Sequence, residues 1–217
     1  MDTFYDALMQ PLYQRYGEQA DSIDRAPASG MGAIVARLSE FGEMARLHRS
    51  ANDALQGQLL AHIYAQDHRF FENLIIDVLL SMGYGGRRRD LAKHLGRSHD
   101  GGIDGMIAQD ELGLDFIMLQ AKRLKPGSAV SAGQVRDFAG GLEAQHASKG
   151  IFFTTTQFSQ QAQRFAQSVS RRIVLINGHE LTNLMIRHNI GVSVRESFVF
   201  KQLEVNYFSA AAAAAIC

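Results

Sequence analysis

The sequence predicts a three-layer α/β domain behind a helical N-terminal region, and three observations predict it. From residue 67 onward, short apolar strand-like runs alternate with helical segments. Two of those runs, 102–109 and 115–123, are joined by the turn-rich QDELGLD and read as a hairpin. Ahead of residue 67 the apolar periodicity is helical.

The N-terminal stretch reads as helices over about 3–16, 31–48 and 50–66. The polar segment 17–30, GEQADSIDRAPASG, holds Pro27 and Gly30 and reads as a connector. Tyr5, Leu8, Leu12, Tyr13 and Tyr16 recur at helical spacing, as a core face or a partner face would. Residues 69–82, RFFENLIIDVLLSM, form an apolar helix that Gly83, Gly85 and Gly86 stop. After the hairpin, 131–147 reads as a helix with Ser131 as its N-cap. GIFFTTT is a buried strand, SQQAQRFAQSV a helix capped by Ser159, RRIVLING a second buried strand and HELTNLMIRHN a further helix. Residues 191–200 are expected to add an edge strand, and SAAAAAAIC at 209–217 is low complexity. The organisation expected is therefore a helical region over 1–66, the α/β domain over 67–208 and a tail over 209–217.

Composition narrows the function classes. The 217 residues are 46% hydrophobic and 20% charged, which is globular and long enough to bury a core. The single cysteine is Cys217, so a disulfide within the chain and a thiolate metal site are both excluded. A reducing, cytoplasmic setting fits. MDTFYDALMQPLYQRYG has no apolar core of a signal peptide, and no run approaches the 18 apolar residues of a membrane span. The net charge is zero, which argues against a large nucleic-acid footprint, but the charge is uneven. Residues 1–66 set Arg15, Arg25, Arg37, Arg46 and Arg49 against eight acids, leaving the remainder net positive. The segment RRRDLAKHLGR presents Arg87, Arg88, Arg89, Lys93 and Arg97 with one acid. Such a stripe either attracts phosphates or is a solvated loop.

The hairpin concentrates the chemistry. With symmetry about Leu112, Asp104 lies opposite Gln120, with side chains about 5 Å apart on one face. Lys122, two residues on, points the same way, while Ile117, Leu119 and Ala121 form the other, apolar face. Polar side chains inside apolar strands are costly unless paired. Carboxylate and carboxamide oxygens are hard ligands suited to Mg²⁺ or Mn²⁺, and the Ala121 carbonyl is placed to add a third. A lysine beside such an ion positions or deprotonates an attacking water and offsets developing charge. An Asp–Lys ion pair closing the hairpin end is the competing structural reading. Gly101, Gly102 and Gly105 in HDGGIDG allow close approach of backbone or ligand, or simply a bulge. Glu72 shares a helix face with Ile75, Ile76 and Leu79, where it either seeks a cation or serves the helix dipole.

FFENLIIDVLLSMGYGG, HDGGIDGMI, FIMLQAKR, KGIFFTTTQFS, IVLINGHELTNLMI and HNIGVSV, in that order over about 67–208, resemble the Mrr family of restriction endonucleases. That family belongs to the PD-(D/E)xK nuclease superfamily and carries a glutamine in place of the usual acid. The resemblance implies a restriction-endonuclease-like three-layer domain with a central mixed sheet. It implies Asp104, Gln120 and Lys122 as the catalytic set, Glu72 as an accessory acid, and Gln134 and Phe138 as a glutamine–aromatic helix motif near the site. It also implies cleavage of double-stranded, typically methylated, DNA. Family members commonly carry a winged-helix reader ahead of the nuclease, which residues 1–66 do not resemble, and Asn177 stands where an aspartate is frequent. Two other functions share these features: a DNA-binding or regulatory protein on a nuclease fold, and a repair or junction nuclease. Double-strand cutting needs two sites or two visits, so a homodimer is the expected assembly.

Overall fold

The computed structural model describes residues 28–94 and 102–204, with side chains described over 42–92 and 102–204. The described residues fall into two compact units divided between Gly57 and Gln58, and the sheet lies in the second.

The helices expected at 31–48 and 50–66 are one helix, α1 (Ala28–Tyr64). Nothing near residue 49 breaks it: neither proline nor glycine intervenes there, and propagation adds a hydrogen bond for each residue fixed. Ala28, Ser29 and Gly30, expected in the connector, form part of this helix. The expected helix 3–16, the rest of the connector and the tail 209–217 lie outside the described residues.

α2 (His68–Ser81) opens at Asp67, whose carboxylate accepts the Phe70 N–H at 2.7 Å. It buries Phe71, Leu74, Ile75, Val78 and Leu79, and the chain leaves it through Gly83 in the left-handed region at φ +102°.

A five-stranded sheet follows, in the order β1-β2-β3-β5-β7. Its strands are β1 (Ala92–His94), β2 (Gly105–Ala108), β3 (Phe116–Lys122), β5 (Lys149–Thr154) and β7 (Arg172–Ile176). The first two pairings are antiparallel and the next two parallel, so the sheet is mixed. The β2–β3 register sets Gly105 opposite Leu119 and Ile107 opposite Ile117, as symmetry about Leu112 requires. Two short strands, β4 (Ala129–Val130) and β6 (Gln157–Phe158), form a separate parallel pair. The helices after the hairpin are α3 (Ala132–Ala144), α4 (Gln160–Ser168) and α5 (Gly178–Arg187), capped by Ser131, Ser159 and Asn177. Asn177, like Ser131, makes a capping box with the third helical residue.

The layers follow from alternation along β3. Met118 joins Val135, Phe138 and Leu142 of α3, Ala162 of α4 and Phe152 of β5 in one buried cluster. Leu119 and Ala121, which point the other way, line a pocket with Ile75 and Ile76 of α2. The sheet is therefore sandwiched between α2 and the α3–α4 pair, giving three layers.

The edge strand expected over 191–200 does not form: no strand is assigned after Ile176 among the described residues. Val194, Phe198 and Val199 are exposed there. Strand-forming residues become a strand only against a partner, and this stretch has no ladder.

Phe138 is 1% exposed and packs edge-on against Phe152, with centroids 5.5 Å apart. Phe138→Ala is expected to lower the unfolding free energy by about 3–5 kcal/mol, through lost burial and a residual cavity. Urea denaturation measures it, and a loss below about 1 kcal/mol would show that the site collapses around the missing ring.

Candidate functional site

Asp104 sits immediately before β2, where its backbone N–H donates to the Leu119 carbonyl at 2.9 Å and extends the hairpin register by one residue. Its Oδ2 accepts the Ala121 backbone N–H at 2.8 Å and the Gln120 Nε2 at 2.5 Å. Gln120 is 2% exposed, so its carboxamide is effectively a core group with a polar task. The opposite end of that amide faces Gly102, where a Cβ would lie 2.8 Å from Oε1. Gly102 also holds φ +81°, a conformation that L side chains rarely adopt. Bare backbone at 102 is thus what admits the carboxamide oxygen. Gly101 lies outside the described residues, and Gly105 starts β2 beside the Glu72–Asp104 pocket.

Burial pushes the Asp104 carboxyl above the ordinary carboxylate range. The Ala121 N–H, the charges of Lys122 and His68, and the Gln120 amide pull the other way without cancelling it. Lys122, the last residue of β3, shares the Gln120 face by alternation and bears electrostatically on Asp104. Glu72 is half-buried on α2 and lines a pocket with Asp104, Ile75, Ile76, Leu119 and Ala121. Asp104 therefore stands at the strand end between two groups of side chains, with Gln120 and Lys122 on one face and Glu72 toward the other.

His68 escaped the sequence reading. It begins α2 one turn before Glu72, and its charge is felt at Asp104. The i, i+4 spacing from Glu72 was the available signal.

The donor set fits a divalent cation. Every candidate ligand is an oxygen: the Asp104 and Glu72 carboxylates, the Gln120 carboxamide and the Ala121 carbonyl. The half-buried Asp104 carries a charge that its hydrogen bonds leave incompletely offset, as its raised pKa shows. Among the described residues no cluster of three or more His, Cys, Asp or Glu side chains forms a closed cage. A site with few protein ligands, completed by water and phosphate oxygens, is what Mg²⁺ ordinarily uses.

The cationic stripe is less free than its sequence implies. Arg88 pairs with Asp90 at 2.6 Å, and Arg89 bonds to Asp77 and Asn73. Arg87 is exposed and adopts φ +66°, left-handed for a non-glycine residue. Lys93 lies in β1 opposite Met106, its side chain outside the described residues, as is Arg97. Gln134 uses its Oε1 to accept the Ser131 N–H at 2.9 Å within the α3 capping box, and Phe138 is core. No helix among the described residues is long and apolar enough to cross a membrane.

Residues 63–185 match the family model for the Mrr catalytic domain, described as restriction endonuclease. The type IV methyl-directed restriction enzyme EcoKMrr of Escherichia coli strain K12 is 38% identical over 174 residues, covering 80% of this chain and 56% of that enzyme. The chain thus spans little more than half the length of that relative. Among solved structures, the MspJI restriction endonuclease in complex with a 27-mer oligonucleotide is 30% identical, with a TM-score of 0.46 over 65% of this chain and 33% of that one. The DNA modification-dependent restriction endonuclease AspBHI is 19% identical, with a TM-score of 0.44 over 65% of this chain and 36% of that one.

The raised Asp104 pKa sets a testable pH dependence. An acid that titrates higher when folded lends stability below its unfolded value and loses it as pH rises through the folded value. At pH 7 the ionised carboxylate therefore opposes folding. Asp104→Asn is expected to melt above wild type at pH 7 in chelator, with the gap closing as pH falls into the carboxylate range. Calorimetry across pH measures this; a lower melting temperature for Asp104→Asn at pH 7 would show that the partners of Asp104 outweigh its burial.

Proposed function

Because the chain belongs to the Mrr-type restriction endonuclease family, we propose that it is a divalent-cation-dependent endonuclease that hydrolyses phosphodiester bonds in double-stranded DNA, in restriction of foreign or methylated DNA. The observation that carries this reading is the junction of Asp104 with Gln120 and Ala121, inside the family-matched segment and next to Lys122.

In this reading Asp104, Gln120 and the Ala121 carbonyl hold Mg²⁺ or Mn²⁺. When bound, the ion supplies Lewis-acid stabilisation of negative charge on the phosphoryl oxygens. Gln120 serves by turning its carboxamide, which exchanges nitrogen for oxygen toward Asp104 about a soft terminal torsion. Lys122 orients the attacking water, assists its deprotonation and balances charge building on the phosphate. Glu72 orients water in the pocket it shares with Asp104. Water oxygen bonds to phosphorus as one ester P–O bond breaks, leaving a phosphate end and a hydroxyl end. Arg87, Arg88, Arg89, Lys93, Arg97 and Gln134 form the DNA-contacting set, with Arg87 foremost because Arg88 and Arg89 are already ion-paired. Residues 67–208 act as the nuclease region, 1–66 as a helical region with a separate task and 209–217 as a tail. The protein works as a cytoplasmic homodimer, one site for each DNA strand.

A plasmid panel tests the reading: methylated, unmethylated and branched DNA, each with Mg²⁺, Mn²⁺ or EDTA. Cleavage of methylated plasmid that needs a divalent ion is expected, and full activity in EDTA would sink the metal mechanism. Preference for branched DNA would point to junction processing instead. Binding without any cleavage would point to a regulatory protein.

The residues separate further. Lys122→Ala is expected to lose most cleavage while still binding DNA, and wild-type cutting would refute its role. Gln120→Glu keeps an oxygen ligand and should cut, whereas Gln120→Leu should fold and cut poorly. A folded, active Gln120→Leu would remove Gln120 from the ligand set. Arg87→Ala should weaken DNA affinity and reduce the salt slope by about 1, as loss of one phosphate contact does, with Arg88→Ala nearer wild type. The reverse order, in a filter-binding salt titration, would contradict the assignment.

A further inference from the structure

Three consecutive threonines end β5 and its turn: Thr154, Thr155 and Thr156, all buried. Valine fills the same volume without a hydroxyl, and a buried hydroxyl is unfavourable unless bonded. Their bonds converge on one place. Thr154 Oγ1 donates to the Lys122 carbonyl at 2.8 Å, and the Thr155 N–H reaches the same oxygen at 3.4 Å. Thr155 Oγ1 accepts the Leu124 N–H and donates to the Leu124 carbonyl, both at 3.0 Å. The Thr156 N–H in turn donates to Thr154 Oγ1 at 3.3 Å.

That place is where β3 runs out. Lys122 is the last residue of the strand and pairs with Thr154 in the β3–β5 register, so beyond it the ladder no longer fixes the backbone. The threonine hydroxyls continue the restraint over 122–124. Tyr64, the last residue of α1, braces them: its hydroxyl donates to the Thr155 carbonyl at 2.8 Å, and its own carbonyl accepts Arg123 Nη1 at 3.1 Å. The Gly178 N–H ties the Thr156 carbonyl from the other side at 3.0 Å. A Cβ at 178 would run into the Thr155 carbonyl, so glycine there is what lets the α5 start approach.

We propose that Thr154 and Thr155, braced by Tyr64, are positioning residues that hold the backbone at Lys122 so that its ammonium stays at the Asp104 site. The inference rests on the catalytic reading of Lys122. The threonines touch no substrate and act through the lysine, so they affect the chemical step rather than DNA affinity.

Thr154→Val and Thr154→Ser test it in single-turnover cleavage, alongside DNA affinity, melting temperature and the Lys122→Ala variant. Valine keeps the shape and removes the hydroxyl. Its rate is expected to fall about ten- to a hundred-fold, the effect of displacing a catalytic group by an ångström or less. Affinity stays near wild type, melting falls only by the modest amount that one lost buried hydrogen bond costs, and serine, which restores the hydroxyl, restores the rate. Tyr64→Phe, at a part-buried hydroxyl, is the second variant should valine fail to fold; it is expected to slow cleavage with affinity unchanged. Wild-type cleavage by folded Thr154→Val, or by Tyr64→Phe where valine does not fold, overturns the inference, as does a loss that tracks unfolding and is not rescued by serine. If Lys122→Ala is inactive while Thr154→Val is normal, the positioning inference alone fails. If Lys122→Ala itself cuts normally, the reading of the site fails first.

Discussion

The contact on which this molecule turns is the carboxylate of Asp104 against the Ala121 N–H and the Gln120 amide. It exists because the β2–β3 register brings the residue before β2 alongside the end of β3. A one-residue slip would turn Gln120 and Lys122 to the α2 side and Leu119 and Ala121 to the α3 side. The register is in turn fixed from both faces, by Met118 in the α3–α4 core and by Leu119 against α2. The core thus does more than stabilise the fold: it decides which side chains meet at the strand end. The arrangement has a cost, since a half-buried carboxylate with a raised pKa opposes folding at neutral pH. A local conflict of this kind, in an otherwise well-packed domain, is expected at functional or strained sites.

The hairpin was legible because two strong signals agreed there. The apolar runs flank a seven-residue turn of fixed length, and polar Asp104, Gln120 and Lys122 interrupt them at matching offsets. The capped helices were equally legible, because Ser131 and Ser159 sit directly before their helices. Strands of two or three residues, such as β1, β4 and β6, are too short for a period-2 pattern to register. The break expected near residue 49 is absent because the polar stretch from His48 to Asn52 contains neither proline nor glycine, and polar residues alone do not end a helix. The absent edge strand shows the converse error, strand-forming residues read as a strand without a partner to pair with.

Charge was the least legible feature. Five basic residues over 87–97 look like a phosphate stripe, but sequence spacing does not show that Asp77, on α2, reaches Arg89 or that Asp90 folds back on Arg88. Nor does it show that Thr154 and Thr155 serve the backbone at the end of a neighbouring strand, because their partners lie about thirty residues away. Long-range partners of polar side chains are invisible to periodicity, and they account for most of what the structure added at the site: His68 near Asp104, and Tyr64 behind Lys122.

Anomalous diffraction from crystals grown with Mn²⁺ tests most directly the claim that the Asp104 junction is the cation site. A manganese peak is expected within coordination distance of an Asp104 carboxylate oxygen and the Ala121 carbonyl, with the Gln120 carboxamide turned so that Oε1 faces the ion. A fully occupied peak elsewhere, with Gln120 Nε2 still bonded to Asp104, would contradict it.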